Sequence, residues 1–190
     1  IMDGNRRWAK KRRLGPLLGH DKGAKTLKDI TESCADAHIN WLTVFAFSSE
    51  TWIRPEHEVA GLMRLIVKFI DTQAQELLDA NVRLRIIGRR DRFADDLCTA
   101  IQGLEQRSSK NTGLNLTVAL DYGGRQDIAN AALAIAKEIE AGMLTADDVN
   151  DDLLKSRMST KILPPVDLLI RTGGEKRLSN FLLWDLSYAE

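Results

Sequence analysis

Asp3 is the only carboxylate in the run Asp3-Gly4-Asn5-Arg6-Arg7-Trp8, and four more cations follow at Lys10, Lys11, Arg12 and Arg13. A carboxylate among arginines makes a poor ligand for phosphate oxygens. It makes a good holder of Mg2+ against a diphosphate, because Mg2+ takes one or two carboxylates and completes its shell with substrate oxygens. Glycine lets backbone N–H groups approach an anion closely, and guanidinium forks match phosphate oxygens in pairs. The same ingredients return in Arg171-Thr172-Gly173-Gly174-Glu175-Lys176-Arg177-Leu178-Ser179. Two separate turns of this kind suit two phosphorylated substrates. Three more polar clusters stand between them: Ser48-Ser49-Glu50-Thr51-Trp52-Ile53-Arg54, Gly88-Arg89-Arg90-Asp91 and Asp121-Tyr122-Gly123-Gly124-Arg125. Ser48, Ser49 and Ser179 add hydroxyl donors.

Each cluster follows a short apolar run, and these runs are what must position it. Residues 41–47, 82–88, 114–120 and 166–170 are nearly continuous in apolar character, as strands covered on both faces must be. A strand is also expected to lead into Asp3, and further structure is expected beyond Glu190. Helical spacing links Leu27, Ile30 and Cys34, and then Val59, Leu62, Met63, Ile66, Ile70 and Leu77 behind Pro55. It also links Phe93, Leu97, Ile101 and Leu104, and finally Ile128, Ala132, Ile135 and Ile139. A shorter helix is predicted from Thr145, with Asp148 closing a capping box. The alternation predicts one α/β domain over residues 1–190, with a mainly parallel central sheet flanked by helices. In such a sheet the turns gather at the carboxyl edge, so all five clusters are expected at one anion site.

Composition narrows the function. With 27 basic and 27 acidic residues in 190, the chain has no bulk positive charge for nucleic acid. The charge is uneven, however: residues 1–30 carry nine Lys/Arg against three acids, while 138–152 carry six acids and no Lys/Arg, which reads as a solvated face. Cys34 and Cys98 form neither a disulfide framework nor a zinc motif and read as small core hydrophobes, which suits a reducing cytoplasm. Neither a phosphate-binding P-loop nor a dinucleotide fingerprint is present. His20 is expected to contact ligand, and His38 and His57 to lie at the surface or at helix ends.

The motifs Asp3-Gly4-Asn5-x-Arg7-Trp8-Ala9-Lys10-Lys11, Gly19-His20 with Gly23, and Phe45 through Pro55 resemble the cis-prenyltransferases, the family of the bacterial undecaprenyl diphosphate synthases (isoprenyl transferases). Asn81 through Gly88, the Tyr122-Gly123-Gly124-Arg125 turn and Asp167 through Glu190 resemble them too, so the likeness spans the whole chain. It implies successive condensation of isopentenyl diphosphate onto an allylic diphosphate such as farnesyl diphosphate, each new double bond being cis. It also implies Mg2+, a homodimer, and cytoplasmic placement with peripheral contact to a membrane. A growing chain needs an apolar tunnel, for which residues 55–80 and 114–120 can supply side chains.

Carried over by position, the resemblance makes Asp3 the catalytic, Mg2+-associated carboxylate and Glu190 a second metal carboxylate. Gly4, Asn5, Arg6, Arg7 and Trp8 match the allylic diphosphate loop, with His20 near it and Ser48, Ser49, Glu50, Trp52 and Arg54 lining the centre. Arg171, Arg177, Leu178 and Ser179 match the isopentenyl diphosphate clamp. Thr51 stands at a catalytic position where many bacterial members carry Asn, and its hydroxyl is a shorter hydrogen-bonding group and a poor base. Pro16 stands where an Arg is common, and Arg12 or Arg13 would have to replace it. Arg6 takes the place of a frequent Gly or Asn, and Asp185 that of a Gln near the dimer side. These departures motivate an alternative, a weakened or non-catalytic partner subunit of the same family. A nucleotide or sugar-phosphate enzyme is the remaining reading.

Overall fold

The computed structural model describes residues 1–190. Three strands, β1 (Trp41–Ser48), β2 (Arg83–Ile87) and β3 (Asn115–Tyr122), form a parallel sheet in the order β1-β3-β2. Six helices surround them: α1 (Asn5–Lys11), α2 (Pro16–Asp36), α3 (Glu56–Asp79), α4 (Asp95–Ser108), α5 (Gly124–Glu140) and α6 (Asp151–Arg157). The central strand β3 is buried along nearly its whole length, which explains its unbroken apolar run. It also runs two residues past its expected end, taking in Asp121 and Tyr122.

Helix boundaries follow local chemistry. Pro16 opens α2 in the first turn, where its missing N–H is no loss. Pro55 caps α3, whose first turn carries Glu56 and Glu58 at the positive end of the helix. The capping box at Thr145 is present, but it closes only a three-residue 3-10 turn, and α6 starts separately with Asn150 as its cap. Two predicted stripes are displaced. On α2, Leu27 and Thr31 are buried and Ile30 is 47% exposed, because Gly19, Leu27 and Thr31 share the inward face. On α5 the inward face is Gly124, Asp127, Ala131 and Ile135, which leaves Ala132 exposed. Phe93, Leu97, Ile101 and Leu104 are buried as expected.

The strand predicted at 166–170 does not form a ladder. The segment runs extended, with Ile1 bonding to Ile170 and Thr172 on one flank and Glu190 bonding to Asp167 and Leu169 on the other. A single residue on each side gives too few bonds for a regular strand. The main core lies between the sheet and α2, α3 and α4 and includes Phe47, Leu62, Leu77, Leu84, Leu97 and Leu116. A second cluster joins Phe45, Tyr122, Phe181, Leu182 and Leu186 beneath the turn at 178–182. Cys34 and Cys98 are free and pack, partly buried, against the main core. His38 and His57 are exposed, as are most of residues 138–152.

Candidate functional site

The two arginine-glycine turns are neighbours, in direct contact. Arg171 directs Nε and Nη2 to Asp3 Oδ2 at 3.2 and 3.0 Å, while Gly4 N–H donates to Asp3 Oδ1 at 2.6 Å. Thr172 Oγ1 accepts from Asp3 N–H at 3.0 Å and donates to its carbonyl at 2.7 Å. The other end of Arg171 donates to Ser179 Oγ at 2.7 Å and to the Arg177 carbonyl. Arg7 reaches across the same seam to Gly173 O at 2.7 Å and Glu175 Oε1 at 3.0 Å. Gly173 has φ +90°, which side chains rarely adopt, and a Cβ there would press on the Asp3 and Gly4 backbone at 3.2 Å, so glycine suits the closure of the two turns. Burial alone would raise the Asp3 pKa. The Arg171 and Gly4 hydrogen bonds, with the Arg171 and Arg7 charges, outweigh it and hold the carboxyl below its ordinary value.

Two cavities meet at this seam. The first, about 670 Å³, is lined by Arg6, Arg7, Lys10, Arg13, His20 and Arg54, with Asp3 its only carboxylate. The second, about 630 Å³, runs from Asp3, Asn5, Arg171 and Ser179 inward between α2, α3 and the sheet. Its interior is apolar: Leu62, Leu65, Ile66, Phe69 and Ile70 from α3, Val118 and Leu120 from β3, Leu84 and Ile86 from β2, and Leu104 from α4. Met2, Asp3, Asn5, His20 and Arg54 line both. A cationic basin therefore opens directly into an apolar cleft, and α3 and β3 supply much of its wall, as the sequence suggested.

The packing of α1 on α2 positions the shared rim. A Cβ on Gly19 would fall 2.1 Å from Asn5 O, so the Gly19-His20 pair lets α1 lie directly on α2. His20 Nε2 is buried without a protein partner. Burial lowers the His20 pKa and Arg54 adds to that, while Glu58 opposes and Arg6 assists, so the ring is neutral at about pH 7. Glu58 is buried on α3, accepts from Arg54 at 3.0 Å and lies 3.7 Å from Arg6. Sequence reasoning missed it, because a carboxylate in the first turn of a helix looks like an ordinary cap.

The end of β1 is bent into the site. Its pairing with β3 shifts around Ala46 and Phe47, a bulge that re-aims the strand end. Ser48 and Thr51 then share a hydroxyl hydrogen bond at 3.0 Å, with Thr51 only 6% exposed on the cavity wall. Glu50 accepts from Asn180 Nδ2 at 2.8 Å, and that bond together with nearby serines lowers its carboxyl pKa against the opposing effect of burial. Asn180, also missed from sequence, accepts through its own carbonyl from Gly124 N–H at 2.7 Å. Ser179, Asn180 and Leu182 all have positive φ, so this turn is held by its contacts rather than by local preference.

Several expected residues lie elsewhere. Trp52 packs against Phe47 and Phe93 with Arg92 over its ring, and lines neither cavity. Trp8 carries Arg12 stacked at 4.4 Å, which removes Arg12 from the basin, whereas Arg13 lines it. Ser49 and Leu178 are absent from both walls. The five-cluster convergence is corrected to three. Arg89 pairs with Asp91, Arg90 with Glu105 and Arg92 with Asp121, on the far side of β3 from β1. The Gly123-Gly124 turn supports Asn180 instead of reaching the basin. Asp185 is buried within the chain, its carboxylate 2% exposed and ion-paired with Lys155.

The chain brings no three carboxylate, histidine or cysteine side chains together as a metal cage. Asp3, one carboxylate facing a basin lined by cations, fits the usual Mg2+ arrangement in which substrate oxygens complete the shell. Glu190 has its backbone fixed by Asp167 and Leu169 and its side chain exposed.

The family model described as putative undecaprenyl diphosphate synthase matches residues 1–190. The isoprenyl transferase of Geobacter sulfurreducens is 48% identical over all of this chain and 77% of its own length. A protein of Xanthomonas axonopodis pv. citri, named ditrans,polycis-undecaprenyl-diphosphate synthase ((2E,6E)-farnesyl-diphosphate specific), is 46% identical over all of this chain and 74% of its own. Among solved structures, lavandulyl diphosphate synthase from Lavandula x intermedia, in complex with dimethylallyl diphosphate, superimposes with a TM-score of 0.96 at 36% identity. That match covers all of this chain and 82% of the plant protein.

Proposed function

Because the chain belongs to the undecaprenyl diphosphate synthase family of prenyltransferases, we propose that it elongates farnesyl diphosphate, or a similar allylic diphosphate, with isopentenyl diphosphate into a long cis-polyprenyl diphosphate. The observation that carries this reading is the cationic basin opening into an apolar cleft through the shared residues Met2, Asp3, Asn5, His20 and Arg54. A diphosphate with a hydrocarbon tail is the ligand whose two halves match those two walls.

In this reading the carbon–oxygen bond of the allylic diphosphate breaks and the electron pair leaves with pyrophosphate. The isopentenyl double bond attacks the same carbon, and a proton is lost to restore a double bond. Arg6, Arg7 and Arg13 of the basin stabilise the leaving charge, which grows only as the bond breaks. Arg171 and Ser179 hold the second diphosphate beside it, a task of positioning. Asp3 would hold Mg2+, which would neutralise charge on the departing group; Glu190, exposed and on neither cavity wall, does not stand where it would share that ion. Thr51, tied to Ser48, orients the reacting groups through its hydroxyl.

Supporting observations extend to partners. Leu168, Ile170 and Tyr188 are 62%, 64% and 99% exposed, which suits burial in a homodimer. No helix is long and apolar enough to cross a membrane. Peripheral contact is supported instead by Lys10, Lys11, Arg12 and Arg13, none of which takes part in an ion pair, beside exposed Leu14 and Leu18. The partner-subunit alternative gains no support, since relatives matched along the whole chain bear enzyme names and Asp3 is retained. Incorporation of radiolabelled isopentenyl diphosphate with farnesyl diphosphate and Mg2+ tests the proposal. A long polyprenyl product abolished by EDTA is expected, and absence of any product overturns it.

A further inference from the structure

Asn180 joins three turns that are far apart in sequence. Its backbone carbonyl accepts from Gly124 N–H at 2.7 Å, and its side-chain Oδ1 accepts from Arg125 N–H at 2.8 Å. These N–H groups open α5, have no partner inside the helix and receive no side-chain cap from Gly123. A Cβ on Gly124 would fall 3.0 Å from Leu183 N and 3.2 Å from Asn180 O, so the double-glycine turn lets the 178–182 turn seat against it. The Nδ2 of Asn180 donates in another direction, to Glu50 Oε1 at 2.8 Å, just past the end of β1. Its neighbour Ser179 accepts from Arg171. Asn180, Ser179, Arg171, Glu50 and Thr51 all line the apolar cleft, and none of them lines the cationic basin.

We propose that Asn180 is a positioning residue for the isopentenyl diphosphate half of the site, fixing the Arg171–Ser179 clamp against Glu50 and Thr51 through one side-chain amide. The inference rests on the proposed function, since it takes that clamp as the holder of the second diphosphate. The residue type suits the task. Ser179 and Asn180 have φ +53° and +62°, a conformation in which Asn is among the few side chains commonly found. Serine lacks that preference, so Ser179 stays there because its neighbours hold it. The amide offers an acceptor to Arg125 and a donor to Glu50 at once, which a carboxylate cannot do. Glu50 is thereby held beside the Ser48–Thr51 hydroxyl pair. Condensation needs two reacting carbons brought together in one orientation, so a clamp that drifts from the end of β1 costs the reaction before it costs the fold. The basin draws Arg6, Arg7 and Arg13 from the amino-terminal residues, and its affinity for the allylic diphosphate is expected to be independent of Asn180.

Steady-state kinetics, with farnesyl diphosphate binding measured separately by calorimetry, test this. Asn180→Gly keeps the positive φ and loses both side-chain bonds. Its kcat/KM for isopentenyl diphosphate should fall about tenfold or more, with farnesyl diphosphate affinity within about twofold of the natural protein's. Asn180→Asp keeps the acceptor for Arg125 but sets a carboxylate against Glu50, and a loss of about tenfold is expected again. In a Glu50→Gln background the same Asn180→Asp change should cost no more than about twofold, because the introduced amide donates to the introduced carboxylate and restores the bond with its direction reversed. An equal cost in both backgrounds overturns the inference, as do unaltered isopentenyl diphosphate kinetics in Asn180→Gly. Farnesyl diphosphate affinity falling as far as the isopentenyl diphosphate kinetics also overturns it, and leaves Asn180 as a cap of α5 alone. Should Asn180→Gly not fold, the two-background comparison of Asn180→Asp, which keeps the cap, still decides. If the natural protein makes no product, the proposed function fails first; if it makes product and the variants match it, this inference fails alone.

Discussion

Arg171 presents two guanidinium nitrogens to a single oxygen of Asp3, at 3.0 and 3.2 Å, while its remaining nitrogen holds Ser179. One side chain therefore couples the carboxylate of the first turn to the hydroxyl of the last. Replacing Asp3 with Asn removes the charge without removing bulk, and the loss should fall on the reaction. A decrease in kcat of about 100-fold or more is expected, with the unfolding midpoint little changed. Steady-state incorporation of labelled isopentenyl diphosphate measures the first and a thermal melt the second.

Arg13 is proposed to take up the diphosphate contact that Pro16 cannot make. Its backbone is left-handed, φ +56°, and its side chain lines the basin, whereas Arg12 is stacked on Trp8. Arg13→Ala should raise the KM for the allylic diphosphate about tenfold with kcat largely kept, as expected for one lost charge-assisted contact. Arg12→Ala should leave that KM nearly unchanged. Equal effects from the two variants would contradict this division.

Leu104 on α4 lines the apolar cleft at 2% exposure, with Leu84 of β2 also on the wall. Both come from outside the diphosphate basin. A larger side chain there shortens the space for a growing chain while the reacting groups stay in place. Leu104→Phe should shift the product distribution to shorter chains with the rate of the first condensation retained, as read by chromatography of the dephosphorylated products. An unchanged product length would show that the chain grows along another wall.

His20 gives the protein a stability term that depends on pH. Burial, with Arg54, lowers its pKa in the folded state, so the unfolded chain takes up the proton first as pH falls. The stability it contributes is present above the ordinary histidine pKa and is lost as pH falls from there through the folded value. Between about pH 7 and about pH 5 the unfolding midpoint should fall further in the natural protein than in His20→Gln. Identical falls would mean that His20 does not titrate in that window.

Lys11 and Arg12 are exposed, unpaired and outside both cavities, next to exposed Leu14 and Leu18. Near an anionic leaflet each basic residue contributes about 1 kcal/mol. Reversing both, Lys11→Glu with Arg12→Glu, should reduce flotation with vesicles containing phosphatidylglycerol by about tenfold or more. Binding to vesicles of phosphatidylcholine alone should be weak throughout. Undiminished flotation of the double variant would remove this face from the membrane reading.

What the sequence determined by itself was the material of the site and the edge on which it stands. Apolar runs of strand length alternating with helical stripes required a parallel sheet, and Asp3, Arg171 and Ser179 already stood in polar turns with the residue types of an anion site. Local patterns were sufficient because periodicity and turn chemistry act over a few residues. The tertiary structure alone decided which clusters share a site and which charges neutralise one another. The turn at 88–91 has the same residue types as the basin, yet Glu105 satisfies its Arg90 and Asp121 satisfies Arg92 just beyond it. Glu58 and Asn180 look ordinary in the chain, and the partner of Asn180, Glu50, is 130 positions away. Ion pairs and hydrogen bonds depend on distances of a few ångströms, and between groups so far apart in sequence only the packing of the whole sheet and its helices sets those distances.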